Sequence, residues 1–216
     1  MKNELFLRII TSIIILPLSL FILYLGGIFF IIFLILIGTV LIKEWIVINI
    51  KKSIIINIIG IIYISIALFF SYLLRGQGNQ QLHIFIWILT ICICSDIGGY
   101  IVGKSIGGNR LTKISPNKTI SGSVGSLFFS FFPLLFFHLF FLDDYLISFN
   151  IKNILLTLIF SITCQIGDLL ISYYKRYNNV KSTGNILPGH GGLFDRLDGI
   201  IFTILFASIL NLLNIL

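Results

Sequence analysis

The chain has 216 residues, of which 57% are hydrophobic and 11% charged, and its mean hydropathy is +1.08. An ordinary soluble domain carries about 25% charged residues, so a soluble globular protein is excluded. Seven spans of about 20 residues each would consume most of the chain, leaving short loops and no separate soluble domain. The formal charge is +7, from 15 Lys and Arg against 8 Asp and Glu. In so apolar a chain these charges must gather outside the hydrocarbon, and no nucleic acid is expected as a partner.

Apolar stretches run at roughly 7–25, 28–42, 54–74, 82–103, 123–142, 153–174 and 197–216. The fold class expected is an all-α, multi-pass membrane protein. The N-terminus reads as a retained first span and not a removed leader. The second stretch is short, which suggests a tight hairpin or one irregular unit around Gly26-Gly27. Thirteen Lys and Arg fall on one side of the resulting topology, and only Arg75 and Lys152 on the other. By the positive-inside rule the N-terminus and the loops 43–53, 104–122 and 175–196 are cytoplasmic. Residues 1–80 then form N-terminal spans and 81–216 the region that carries the cytoplasmic loops 104–122 and 175–196. Cys92, Cys94 and Cys164 sit in apolar runs without a C-x-x-C pair and read as packing residues.

Two segments on the basic side hold nearly all the polar residues that a plain anchor would not need. The first runs from Asp96 through Ser115, Asn117, Lys118 and Thr119 to Ser121. Gly98 to Ser105 matches the phosphate-loop pattern, but that loop follows a strand and opens a helix, whereas this one ends a span. Gly99, Gly103 and Gly107, four apart, instead suit close helix packing. The second segment starts at Asp168, inside an apolar helix, with Gln165, Ser172 and Lys175 on its face.

A structural ion pair between Asp168 and Lys175 or Arg176 is one explanation for that carboxylate, and acidic residues complementing a helix dipole are one for Asp195 and Asp198. Taken together, carboxylates from two helices ringed by Lys175, Arg176, Lys181 and Arg196 supply what Mg2+ and phosphates require. The run Pro188-Gly-His190-Gly-Gly adds backbone that a ligand can approach closely. Metal-assisted phosphoryl or nucleotidyl transfer is the reaction class these residues point to.

The stretch from Ser172 to Asp198, with Lys175-Arg176, Lys181 and P-G-H-G-G-L-F-D-R-L-D at fixed spacing, closely resembles the signature of the phosphatidate cytidylyltransferases. Asp96-x-x-Gly-Tyr100 and Ser115-Pro-Asn-Lys-Thr119 look like further family segments. The resemblance covers roughly residues 85–216. It implies transfer of CMP from CTP to phosphatidic acid, with Mg2+ on Asp168 and Asp195 and room for a monovalent cation nearby. Lys175, Arg176, Lys181 and Arg196 would offset phosphate charge. Asp96, Asp198, His190 and Ser172 would contact substrate or orient the site, and Ser115, Asn117, Lys118 and Thr119 would bind a phosphate from the facing loop. A homodimer is a candidate assembly.

Two departures from the family pattern stand out, Ser182 where an acid follows Lys181 and Ser121 where an acid follows the S-P-x-K-T-x run. A serine at 182 removes a negative charge, so Ser182→Asp is expected to lower the Mg2+ concentration for half-maximal activity. The substitution of Tyr174 for an apolar residue is expected to be minor. A CTP-dependent lipid kinase, or a transferase for another lipid phosphate, is the nearest alternative. A transporter using Asp96 and Asp168 as an ion relay is the alternative from another class.

Overall fold

The structure, a computed structural model, describes residues 2–49, 52–112, 115, 118–140, 147–184, 186 and 191–216, with side chains described from Ile14 onward. Among the described residues eight helical segments follow one another: α1 Lys2–Leu25, α2 Gly27–Ile48, α3 Ile54–Arg75, α4 Asn79–Ile106, α5 Ile120–Phe129, α6 Phe131–Phe140, α7 Ile151–Tyr177 and α8 Phe194–Leu212. Among the described residues none forms a named strand; one isolated bridge pairs Arg110 with Thr119. α5 and α6 make a single span broken at Ser130. The break has a cause in Pro133, which has no N–H to give the carbonyl of Phe129 and whose ring crowds it. Among the described residues five units are long and apolar enough to cross a membrane: α2, α3, α4, α5 with α6, and α7. The protein is thus a multi-pass helical membrane protein.

The helix ends follow local chemistry. Ser53, Thr119 and Asn150 cap α3, α5 and α7, each side-chain oxygen accepting a backbone N–H of the first turn. Between α1 and α2, Gly26 turns the chain at φ 63°, in the left-handed region open to glycine. Its missing side chain leaves space for the guanidinium of Arg75. Arg75, 5% exposed, donates to the carbonyls of Leu23 (2.6 and 3.0 Å), Tyr24 (3.0 Å) and Gly76 (2.8 Å). The expected hairpin at Gly26-Gly27 is therefore a tight turn, locked from α3.

One expectation is overturned here. α2 does not stop at residue 42 but runs to Ile48, a full span of 22 residues. Lys43 and Glu44 look like loop residues in the sequence. Glu44 is instead buried at 2% exposure, because backbone and hydroxyl donors from the α7–α8 loop surround its carboxylate.

Two apolar clusters hold the bundle. One gathers Phe30, Phe85, Trp87, Ile88, Leu134 and Phe160 between α2, α4, α6 and α7. The other joins Leu41, Trp45, Ile64, Phe194 and Ile201 from α2, α3 and α8. Large apolar side chains such as Phe128 (68%) and Ile151 (77%) remain exposed on the outside, as a surface solvated by lipid requires. Tightest of the contacts is α4 against α5. There Gly99 and Gly103 face Gly122, and Gly98 faces Gly125, so backbones meet where any Cβ would collide. Gly107 serves differently: it ends α4 at φ 64°, with open space around it.

Candidate active site

Close packing of α4 on α5 brings the loop between them over the basic ends of α7 and α8. The loop is drawn together by Leu111 N–H to Lys118 carbonyl at 2.8 Å and Ile120 N–H to Asn109 carbonyl at 3.0 Å. Ser121 closes its base by donating to the Gly107 carbonyl. The geometry presents Lys118 to α7, where its ammonium pairs with Asp168. Ser172, one turn further along α7, donates to the other oxygen of Asp168 at 3.2 Å.

A second pair lies beside the first. Lys175 on α7 donates to Asp195 Oδ1 at 2.7 Å, and Asp195 Oδ2 accepts from Ser182 Oγ (2.7 Å), Thr183 N (2.9 Å) and Gly192 N (3.3 Å). Asp195 stands just ahead of the apolar part of α8. Burial works to raise its carboxyl, but the bonds from Lys175, Ser182 and Thr183 together hold it below the ordinary aspartate value.

Between the pairs is a cavity of about 300 Å3, lined by Asp96, Lys118, Asp168, Asp195, Arg196 and Asp198, with Tyr100 and Leu111 at its edge. Asp198 is 6% exposed and accepts from the N–H of Gly199 at 2.8 Å. Four carboxyl groups thus share the cavity with Lys118 and Arg196, a mixed set of oxygen ligands and cationic groups. Among the described residues no three His, Cys, Asp or Glu side chains converge to cage a metal by themselves. A cation held by one or two of these carboxylates would take the rest of its shell from substrate phosphates and water, as Mg2+ usually does. Asp168 fits best, because each of its oxygens accepts one hydrogen bond and keeps a lone pair. Asp195 Oδ2 already receives three donors, so a cation there must displace some of them.

The cavity assembles much of the expected site, but not through the expected partners. Asp168 pairs with Lys118 from another element, and not with Lys175 or Arg176 on its own helix. Thr119 lines the cavity wall and caps α5, and Ser115 closes the turn before Lys118. Arg176 and Lys181 are exposed and do not line the cavity. Asn117 and His190 lie outside the described residues. The glycines at the start of α8 have an internal reason. Gly191 adopts φ 90° beside Ser182, and Gly192 packs on Thr183 and Glu44.

Sequence reasoning missed Glu44 and undervalued Tyr174. Tyr174 stacks on Trp45 at 4.7 Å and donates to buried Asn49, tying α7 to α2. The only available signal was the pair of polar residues, Glu44 and Asn49, flanking a tryptophan at the end of an apolar run.

Helices, cavity and paired charges are those of a membrane protein with a polar site at one end of its bundle. The chain belongs to the cytidylyltransferase family, whose profile matches residues 49–213. It is 36% identical to the phosphatidate cytidylyltransferase of Rickettsia bellii, over 99% of this chain and 92% of that protein. It is 40% identical to the phosphatidate cytidylyltransferases of Staphylococcus aureus and Staphylococcus haemolyticus, over 74% of this chain. The alignments span 57% of the length of those staphylococcal proteins. Family membership agrees with the resemblance carried by residues 172–198.

Proposed function

We propose that this chain transfers CMP from CTP to phosphatidic acid, giving CDP-diacylglycerol and pyrophosphate. The observation that carries the reading is the cavity at the basic end of the bundle, where lysine–carboxylate pairs meet beside lipid-facing helices. A lipid phosphate can reach such a site from the membrane and a nucleotide from water.

In this reaction a phosphate oxygen of the lipid attacks the α-phosphorus of CTP in line, a new P–O bond forms, and the bond to the leaving pyrophosphate breaks. Lys118 and Arg196, which line the cavity, would bind the non-bridging oxygens and offset charge as it develops. The substrate phosphates compete with Asp168 for Lys118, which frees a carboxylate for metal. Mg2+, when bound, would neutralise triphosphate charge, with Asp168 as its first protein ligand and Asp195 and Asp198 on the facing wall. The N–H groups at the start of α8 are already taken by Asp195 and Glu44. No covalent enzyme intermediate is required, as no nucleophile paired with a base lines the cavity among the described residues.

Detergent-purified protein given CTP labelled at the α-phosphate, Mg2+ and phosphatidic acid should yield a labelled lipid. Label entering lipid only from the γ-phosphate would establish the lipid kinase instead. We place the basic end at the cytoplasmic face of a bacterial inner membrane, where CTP is supplied. In intact cells, Asn109→Cys should then be protected from an impermeant thiol reagent and Gly78→Cys labelled; the reverse pattern overturns this orientation.

A further inference from the structure

Glu44 lies in the N-terminal half of the chain, five positions before the segment matched by the family profile. It is buried, and among the described residues no cation pairs with it. A buried carboxylate without a counterion is costly unless hydrogen bonds satisfy it. Here Oε2 accepts from Thr183 Oγ1 (2.8 Å) and Phe194 N (2.9 Å), and Oε1 accepts from Leu193 N (2.9 Å). Gly184 and Gly192 lie so close that a Cβ on either would come within 3 Å of its oxygens. One carboxylate thus grips both ends of the segment between Thr183 and Phe194.

Thr183 carries the grip onward. Its hydroxyl holds Glu44 while its N–H donates to Asp195 Oδ2, so the position of Thr183 sets one wall around Asp195. Phe194, whose N–H is also held, is the residue before Asp195, at the first turn of α8. The favourable interaction of a carboxylate with a helix N-terminus adds to these bonds.

We propose that Glu44 is a positioning residue: through Thr183 and the first N–H groups of α8 it sets the place of Asp195, and with it the Lys175–Asp195 pair, against the cavity. Glu44 touches no reacting group. Its contribution to catalysis rests on the transferase reading and passes wholly through the segment it holds, where a displacement of about 1 Å can cost about a hundredfold in rate.

The test uses the full chain in detergent, with Glu44→Gln, Thr183→Val and the double variant. CMP transfer to phosphatidic acid is measured beside hydrogen exchange over residues 182–195, α4 and α7. Glu44→Gln is expected to lower kcat about tenfold or more with little change in the KM for CTP. It should also speed exchange in 182–195 while leaving α4 and α7 as they were. Thr183→Val should give a smaller fall, and the double variant should be little worse than Glu44→Gln, because both cut one link. An unchanged kcat, multiplying effects in the double variant, or faster exchange throughout the bundle overturns the proposal. If Glu44→Gln does not fold, Thr183→Val decides alone, and wild-type kcat in it overturns the proposal. Failure of the wild-type chain to make labelled lipid refutes the transferase reading, while the exchange measurement still tests the grip of Glu44.

Discussion

Two lysine–carboxylate pairs sit side by side in this site, and they are built differently. In the Lys118–Asp168 pair the side chains are 29% and 27% exposed, and beyond Lys118 the carboxylate has only Ser172 as a donor. In the Lys175–Asp195 pair they are 11% and 14% exposed, and Asp195 is surrounded by donors from its own loop. An exposed pair is held weakly and is open to exchange; a buried, saturated one strongly resists removal of either partner. The first pair is thus the one that can open to substrate and metal, and the second is the frame against which it works.

Four substitutions sharpen or break this contrast. The largest effect is expected from Asp168→Asn, which should cut turnover at least about a hundredfold if Mg2+ contributes several kcal/mol there. Its thermal stability in detergent should stay near that of the parent. Stability falling with activity would move Asp168 into the frame. Asp195→Asn should lower both, since Lys175 would be left buried without its charge partner, at a cost of about 3–5 kcal/mol. Thermal unfolding monitored beside activity separates the two variants, and identical profiles would dissolve the distinction.

Next comes Ser182→Asp. The hydroxyl of Ser182, with one proton to give, lies 2.7 Å from Asp195 Oδ2 and 2.8 Å from the Gly184 carbonyl, and an aspartate would set an acceptor against acceptors. Without a cation the loss is expected to be about 1–3 kcal/mol. With Mg2+ present the added carboxylate can offset it, so the stability of Ser182→Asp should rise with Mg2+ more steeply than that of the parent. A magnesium titration followed by both melting temperature and turnover checks this, and parallel curves would remove position 182 from the metal environment. The smallest effect belongs to Tyr174→Phe, which keeps the stack on Trp45 but loses the bond to Asn49, about 0.5–1.5 kcal/mol. A melting temperature unchanged in this variant would show that the bond adds nothing measurable.

Much of this was legible in the sequence for a plain reason. Membrane spans announce themselves by length and hydropathy: each of the seven expected stretches has a helical counterpart in the fold, and among the described residues five of these are long and apolar enough to cross. Cavity residues were legible as polar exceptions in apolar runs, and Asp96, Lys118, Asp168, Asp195, Arg196 and Asp198 do meet. Partners were harder. Helical periodicity compares residues within one helix, so it offers Lys175 to Asp168; the lysine that arrives is Lys118, 50 positions away. Glu44 was hidden because a charged residue at the end of an apolar run reads as the start of a loop. Only the fold shows the ring of N–H groups that buries it. The glycines of the run before α8 invite a ligand-binding explanation for the same reason, since a neighbour from within the chain is invisible to spacing.

The clasp at the opposite end of the bundle has a consequence for how this chain is made. Arg75 belongs to the last turn of α3, yet the carbonyls it satisfies close α1, 52 and 51 positions earlier. Arg75 follows both helices of the first hairpin in the chain, so the bonds that seal this turn form only once α3 has packed against it.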